Sequence, residues 1–285
     1  MSPSTEGGDS TEAGSLPGVL AACASIAVMR CAIVTGGGTG IGAAVAERLH
    51  RDGHGIVLTG RRREPLERVA RELDEALVVE ADVGDSGDAE RAVAAAVERF
   101  GGVDVLVNNA GIGDSAPALE ETLEGWDRTL RVNLTGAFLM ARAALPSLIE
   151  RRGSIVNVSS INAFLAGPGW ASYCVSKAGL VMLTKSLAVD YGPAGVRANC
   201  VCPGWVRTPM GDEDMARVGS LHGTDVEGAY RLTHEGHPLA RPAEPGEIAA
   251  VVSFLASGDA SYVNGVALPV DGGTTSIDPT AVAFR

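Results

Sequence analysis

The chain has 285 residues and a formal net charge of −12 at pH 7. This length suits one large α/β domain with a well-buried core. Its one basic run is Arg61–Arg63, and nucleic-acid phosphates are held by clusters of Lys and Arg, so the composition argues against a nucleic-acid partner.

The first 28 residues differ in composition from the rest. Residues 1–15 are rich in Ser, Thr, Gly and Glu, which is typical of disorder. Residues 16–29 are apolar but short and follow no positive charge, so we expect neither a signal peptide nor a membrane span. We expect residues 1–28 to be a disordered or dispensable extension and residues 29–285 to be a single folded domain.

A glycine-rich turn joins the first predicted strand to the first predicted helix. The apolar run at 31–34 predicts a buried strand, and residues 43–49 favour a helix. Between them, Thr35–Gly42 reads T-G-G-G-T-G-I-G. A strand that turns through glycines into a helix leaves free N–H groups at the helix N-terminus, where the dipole favours an anion. The turn therefore predicts a dinucleotide pyrophosphate site, and the alternative is a glycine turn that binds nothing.

The pattern T-G-x-x-x-G-I-G resembles the short-chain dehydrogenase/reductase family, in its compact single-domain branch. The resemblance extends over about Met29–Gly273 and implies a doubly wound Rossmann α/β fold, with a seven-stranded parallel sheet and helices on both faces. It also implies an oxidoreductase with a nicotinamide cofactor. The five cysteines form no C-x-x-C pair and indicate a reducing compartment, so we expect a cytoplasmic protein. The residues of the turn assigned to that cofactor are Gly36, Gly38, Thr39, Gly40, Ile41 and Gly42.

The end of the second predicted strand, at 56–59, predicts the cofactor type. In a βαβ nucleotide unit an Asp or Glu here binds the ribose 2′-hydroxyl, whereas Arg accommodates a 2′-phosphate. Here Gly60 is followed by Arg61 and Arg62, and a guanidinium can bind a phosphate through two hydrogen bonds. We therefore expect NADP(H), with NAD(H) as the alternative. The competing interpretation is a solvated helix start.

Two further strand ends match the family's cofactor motifs. The third predicted strand ends at Asp82 and Val83, where the resemblance implies contact with the adenine ring. The alternative is that Asp82 only starts a turn and that Asp85 or Ser86 caps the next helix. The fourth predicted strand, at 103–107, runs into an N-N-A-G motif. The resemblance assigns three of its residues to the cofactor crevice, namely Asn109, Ala110 and Gly111.

The candidate catalytic residues follow in the middle of the chain. Tyr173 and Lys177 are four apart, so a helix places them on one face. A nearby ammonium favours the phenolate over the phenol, which would let Tyr173 exchange a proton with an alcohol or a carbonyl oxygen near neutral pH. Ser160 lies 13 residues before Tyr173, as the family's catalytic Ser does. Asn133 matches the family's fourth catalytic residue, which implies a helix kink and a water that relays protons.

The remaining motif and the segment after it complete the predicted site. The sequence at 203–208 resembles the family's P-G-x-x-x-T motif, which implies cofactor contacts from Pro203, Gly204, Val206 and Thr208. Residues 209–240 have weak periodicity, and the resemblance implies a substrate lid there. Three histidines in this segment lack metal-ligand spacing, so we expect no metal site. Cysteines 200 and 202 share a strand face and are expected to pack as small apolar side chains.

Together these motifs predict NADPH-dependent reduction of a carbonyl group, or the reverse oxidation of a secondary alcohol, with a 3-oxoacyl thioester among the candidate substrates. An NAD-dependent secondary alcohol dehydrogenase of the same family and a catalytically inactive nucleotide-binding sensor are the alternatives. The resemblance further implies a homo-oligomer, usually a tetramer, formed through the helices after the fourth and fifth strands. We expect no membrane partner.

Overall fold

A computed structural model describes residues 29–114 and 116–278, so the predicted extension at 1–28 lies outside the described residues. Within this part of the chain, seven parallel strands form one sheet in the spatial order β3-β2-β1-β4-β5-β6-β7. The strands are β1 (Arg30–Thr35), β2 (His54–Gly60), β3 (Ala76–Glu80), β4 (Val105–Asn108), β5 (Ser154–Val158), β6 (Arg197–Pro203) and β7 (Ala267–Val270). The predicted doubly wound fold is confirmed.

Helices connect the strands and cover both faces of the sheet. They are α1 (Gly40–Arg51), α2 (Arg63–Ala70), α3 (Ser86–Phe100), α4 (Leu123–Leu130), α5 (Gly136–Arg151), α6 (Ala171–Tyr191), α7 (Pro209–His222), α8 (Val226–Thr233) and α9 (Pro245–Ala256).

The apolar strands are explained by burial on both faces. Along β1, Cys31 and Ile33 belong to one apolar cluster, with residues of α3 and α5, whereas Ala32 and Val34 belong to a second, with residues of α1 and α9. All four side chains are fully buried. Since successive side chains of a strand point to opposite faces, a strand between two helix layers must be apolar at every position.

The strand order places the site. The chain winds outward from β1 to β3 on one side and from β4 to β7 on the other, so the direction reverses between β1 and β4. In open parallel sheets, ligands bind beyond the carboxyl ends of the strands at such a reversal. The glycine turn follows β1 and the N-N-A-G motif follows β4, so both line this crevice.

Two segments have a structure that their hydrophobic pattern alone does not predict. Residues 209–240, whose periodicity is weak, contain α7 and α8, which pack against each other around Met215 and the buried ring of Tyr230. Thr208 caps α7 by accepting a hydrogen bond from the Gly211 amide at 3.0 Å. The periodicity is weak because each helix buries only a narrow stripe of side chains.

The stretch Leu123–Arg151 contains α4, a π-helical turn and α5, and it is long and apolar enough to pass a length-and-composition test for a membrane span. Half of its most apolar window is buried inside the protein. Leu148 and Met140 of this stretch lie in the cluster shared with α3. The core helices of globular domains pass the same test, and the packing here is that of a core helix.

Candidate active site

The glycine turn has the backbone that a close-approach loop needs. Gly36 and Gly40 have φ angles of 65° and 54°, in the left-handed region that side chains with a Cβ rarely adopt. A Cβ on Gly42 would overlap the carbonyl oxygen of Gly36. The N-cap of α1, Thr39, makes no side-chain capping hydrogen bond, so the first amides of the helix are left for a ligand.

Asn109 fixes the turn against the end of β4. Its side-chain amide donates to the carbonyl oxygens of Thr35 and Gly36, at 3.0 and 3.2 Å. In return, the Thr35 hydroxyl accepts from the backbone amides of Asn109 and Ala110, both at 3.0 Å. These hydrogen bonds hold the two loops of the crevice together. Asn109 therefore shapes the site by fixing the glycine turn.

A groove of about 290 Å³ runs along this crevice. It is lined by 15 of the predicted residues, which are Gly36, Gly38, Thr39, Gly40, Ile41, Arg61, Arg62, Asp82, Val83, Asn109, Ala110, Gly111, Tyr173, Lys177 and Thr208. Gly42 lies beneath the turn, and Pro203, Gly204 and Val206 line an adjoining cavity. The structure thus brings the sequence-predicted cofactor residues to one place.

The end of β2 is followed by two arginines without an ion-pair partner among the described residues. Arg61 and Arg62 are exposed and line the groove, and no ion pair joins either guanidinium to another described residue. The next arginine differs, because Arg63 donates to Glu67 at 2.6 Å. No carboxylate lies at the strand tip, where Gly60 ends β2.

Asp82 lines the groove but also stabilises its own loop. Its carboxylate accepts from the Gly84 amide at 2.9 Å and lies 3.3 Å from the Arg131 guanidinium. Asp85 caps α3 by accepting from the Asp88 amide at 2.9 Å. The interpretation that Asp82 starts a turn and Asp85 caps the next helix is therefore confirmed. Asp82 also lines the groove.

Ser160, Tyr173 and Lys177 meet where the groove joins the second cavity. Ser160 follows β5, and the other two lie one turn apart on α6. The Ser160 hydroxyl donates to the Asn162 side-chain oxygen at 3.1 Å and accepts from the Asn162 backbone amide at 3.1 Å. Sequence reasoning did not single out Asn162, which fixes the hydroxyl from two residues away.

Burial governs the ionisation of Tyr173. It raises the pKa of Tyr173 to about 12, against the lowering effect of the hydrogen bond from Ser160, and the Asp214 carboxylate raises this pKa further. In the protein without cofactor, Lys177 therefore does not lower the pKa of this phenol as expected. Tyr173 keeps its proton at neutral pH.

Lys177 is a buried cation with a single backbone anchor. Its side chain is 4% exposed, and Nζ donates to the Val158 carbonyl oxygen at 3.1 Å. Burial lowers the pKa of Lys177 to about 8. A Cβ on Gly111 would lie 3.4 Å from Nζ, so a glycine here leaves the ammonium open to the groove.

Asn133 lies in the π-helical turn Arg131–Thr135, which is the kink that the resemblance implies. Its side-chain oxygen accepts from the Ile112 amide at 2.8 Å, and its amide donates to the Ile112 carbonyl oxygen at 2.9 Å and to Ser176 Oγ at 3.1 Å. The side chain therefore clamps the loop after β4, a contact that the sequence did not predict. The relay water stays a prediction.

The histidines and cysteines outside this centre have ordinary packing partners. His234 Nδ1 lies 2.7 Å from the Tyr230 carbonyl oxygen, and the rings of His234 and His237 make an edge contact at 5.4 Å. Within the described ranges, no group of three potential metal ligands is found. Cys200 and Cys202 are fully buried, with their sulfur atoms 3.9 Å apart.

A second cavity of about 180 Å³ adjoins the groove at Tyr173 and Ser160. Its walls come from the loop after β5, the segment after β6 and the first turns of α7. A groove for a long ligand that meets a small cavity at a phenol and a hydroxyl is the arrangement expected of a cofactor site joined to a substrate site.

The comparisons with known proteins agree with this arrangement. A family model described as enoyl-(acyl carrier protein) reductase matches residues 36–275. The meso-2,3-butanediol dehydrogenase of Serratia marcescens is 38% identical over 248 residues, which cover 86% of this chain and 94% of that protein. The chain belongs to the short-chain dehydrogenase/reductase family.

Solved structures of the family superpose closely. Levodione reductase is 36% identical, with a TM-score of 0.83, covering 87% of this chain and 98% of that one. A single-substitution variant of actinorhodin polyketide ketoreductase, solved with NADPH, is 35% identical with the same TM-score and the same coverage. With its relatives named as dehydrogenases and reductases, this member of the family is an oxidoreductase that acts on carbonyl or alcohol groups.

Proposed function

We propose that the protein is an NADP(H)-dependent oxidoreductase that reduces a small ketone, or oxidises the corresponding secondary alcohol. The observation that carries the choice of cofactor is the pair Arg61 and Arg62. They line the groove without an ion-pair partner among the described residues, at a strand tip that has no carboxylate. A guanidinium binds a 2′-phosphate through paired hydrogen bonds.

The groove fits a dinucleotide in shape and in chemistry. The close approach of Gly36, Gly40 and Gly42 keeps side chains away from the start of α1, and the helix dipole favours a pyrophosphate there. Gly111 leaves room beside Lys177, which would bind the nicotinamide ribose. When bound, the nicotinamide supplies or accepts the hydride.

The protein's own groups handle the proton. Tyr173, with its pKa at about 12, is a phenol at neutral pH and donates its proton to the substrate oxygen during reduction. The Ser160 hydroxyl, which donates to Asn162 in the free protein, would turn its one proton to the same substrate oxygen and polarise the carbonyl, while the Asn162 backbone amide still holds the Ser160 oxygen in place. Asn133 acts as a positioning residue that fixes the loop bearing Gly111.

A comparison of the two cofactors tests this proposal. Ketone reduction is followed at matched concentrations of NADPH and NADH, in the wild type and in a double variant, Arg61→Ser with Arg62→Ser. We expect NADPH to be preferred and the double variant to lose about 10- to 100-fold in kcat/KM for NADPH, with little change for NADH. Arg63→Ser, which removes the guanidinium paired with Glu67, is the matched control and should leave the preference unchanged.

Equal rates with both cofactors, or an NADH preference that the double variant does not alter, would contradict the NADP(H) assignment and favour the NAD-dependent alternative. A wild-type protein that binds nucleotide but turns over no ketone or alcohol in a broad panel would favour the nucleotide-binding sensor. A 3-oxoacyl thioester belongs in this panel.

We also propose that the chain forms a homotetramer through α5 and α6. Val175, Met182 and Val189 recur every seven residues along α6 and are 47%, 61% and 75% exposed. Phe138 and Ile149 of α5 are exposed as well. Burial of such a stripe against a second copy would stabilise an assembly. Light scattering on the wild type and on Met182→Glu tests this, and a monomeric wild type would contradict it.

A further inference from the structure

Asp214 lies in the substrate cavity, on the second turn of α7. It lines the cavity together with Tyr173, Trp170 and Trp205. Its side chain is 34% exposed, and its carboxylate is close enough to raise the pKa of Tyr173. A negative charge therefore lies within electrostatic reach of the residue that carries the proton.

No cation among the described residues lines the cavity to compensate this charge. Among the described residues that form its walls, Asp214 and Tyr173 are the only ones that titrate, and the remainder are apolar, hydroxyl, amide or glycine residues. Arg217 donates to one oxygen of Asp214 at 3.2 Å, but the guanidinium is 66% exposed on the outer side of α7. An exposed pair one helical turn apart contributes little.

The surroundings increase the negative potential. Both Glu213 and Asp114 act with burial to raise the pKa of Asp214, so negative charges approach it from α7 itself and from the loop after β4. Arg128 pairs with Asp114 at 2.9 Å, on the solvent side. An acidic substrate would have to enter against these charges.

The two tryptophans give the cavity an aromatic wall. Trp170 and Trp205 meet edge to face, with ring centres 6.1 Å apart. Aromatic faces attract organic cations. The cavity of about 180 Å³ is below the roughly 300–1,000 Å³ that is usual for drug-sized ligands, so it suits a small molecule.

Resting on the proposed function, we infer that Asp214 determines the substrate class. The enzyme takes small ketones, or their alcohols, that carry a hydrogen-bond donor near the reacting carbon, and it prefers an ammonium group to a hydroxyl group as that donor. It rejects substrates that carry a carboxylate there. One carboxylate oxygen is held by Arg217, and the other is left to accept a hydrogen bond from the substrate. This assignment is one of specificity, since the reacting oxygen is handled by Tyr173 and Ser160.

A matched substrate series tests the inference. Butanone, hydroxyacetone and aminoacetone share a methyl ketone and differ in whether a methyl, a hydroxyl or an ammonium group lies beside it, while pyruvate carries a carboxylate there. We expect kcat/KM of the wild type to rise in the order pyruvate, butanone, hydroxyacetone, aminoacetone.

Two variants assign the preference to one residue. Relative to butanone, Asp214→Asn should lower kcat/KM for aminoacetone by roughly 10- to 100-fold and raise kcat/KM for pyruvate. Glu213→Gln is the control, because it removes the same charge from the adjacent, exposed position, which lies outside the cavity wall. It should change none of the four by more than about threefold.

The possible results separate the two claims. Reduction of butanone by a wild type that does not favour the donor-bearing ketones, or a preference that survives in Asp214→Asn, overturns the inference and leaves the proposed function intact. An equal loss of all four activities in Asp214→Asn also overturns it, because that pattern belongs to a catalytic or structural role. Turnover of none of the four by the wild type, in either direction, refutes the inference, and the broad panel then decides the proposed function.

Discussion

The ammonium of Lys177 lies 5.6 Å from the centre of the Tyr173 ring and is anchored to the carbonyl oxygen of Val158. Lys177 is buried and Tyr173 is half-buried at the end of the groove, and loss of contact with water shifts their pKa values in opposite directions. It raises the pKa of the phenol to about 12 and lowers that of the ammonium to about 8. The site therefore keeps a phenol that holds its proton beside a cation that is destabilised by its own burial.

This relationship predicts that Lys177→Met makes the protein more stable and inactive. Below a pH of about 8 the folded chain carries a buried ammonium, whereas in the unfolded chain the lysine has its ordinary pKa of 10.5. Because the unfolded state binds more protons between these values, the destabilisation is full below about 8 and disappears as the pH approaches 10.5. After allowing for the lost hydrogen bond to Val158, we expect a gain of roughly 2 kcal/mol in the free energy of unfolding at neutral pH.

Urea denaturation at several pH values checks this, and the difference between variant and wild type should shrink as the pH rises. Turnover should fall by about 100-fold or more, because the ammonium that would hold the nicotinamide ribose in place is lost. Lys185→Met, on the same helix but exposed, is the control and should alter neither property greatly. A variant at position 177 that is less stable than the wild type at neutral pH would contradict the assigned balance of burial and charge.

A second prediction concerns the glycine turn. Gly42→Ala would push a Cβ into the carbonyl oxygen of Gly36, and it would lie 2.5 Å from Asn109 Nδ2. Neither the Gly36 carbonyl group nor the Asn109 side chain can move without distorting the turn. We therefore expect a loss of about 1–3 kcal/mol in the free energy of unfolding and weak NADPH binding in a fluorescence titration. Gly246→Ala in α9 meets no atom within 4 Å and should leave stability unchanged or higher. Normal NADPH affinity in Gly42→Ala would show that the nucleotide binds elsewhere.

A third prediction concerns Asn133. Removing its side chain in Asn133→Ala leaves the amide and the carbonyl group of Ile112 without their partner, which should cost about 1–3 kcal/mol. If Asn133 is a positioning residue, KM for NADPH should rise as well, because the loop bears Gly111, which lies beside Lys177. Asn162→Ala, which frees Ser160 instead, should lower kcat and leave NADPH binding intact. A fall in kcat for Asn133→Ala, with unchanged stability and KM, would favour a direct proton relay.

Most of the fold could be predicted from the sequence because its strands are buried on both faces. The runs around Ile33 and Leu106 are apolar at successive positions, which few other structures require. Tyr173 and Lys177 could be paired because a helix fixes neighbours four residues apart. The α7 and α8 helices could not be delimited from their periodicity, because their apolar stripes are narrow.

The rest of the site depends on contacts between segments distant in sequence. The hydrogen bonds between Asn133 and Ile112 join positions 21 residues apart, and the carboxylate of Asp214, on another helix, raises the pKa of Tyr173. The ionisation of the Tyr–Lys pair also escaped sequence reasoning. Spacing shows that two groups are neighbours, but it does not show how deeply both are buried, and burial decided their pKa values.

The most direct test of the account is Tyr173→Phe, assayed for NADPH consumption with any ketone that the wild type reduces and, in parallel, for NADPH binding. The ring and its packing are kept and only the proton donor is lost. We predict a fall in kcat of about 100- to 10,000-fold with NADPH affinity within about threefold of the wild type. Reduction at the wild-type rate by Tyr173→Phe would contradict the assignment of this phenol as the proton donor.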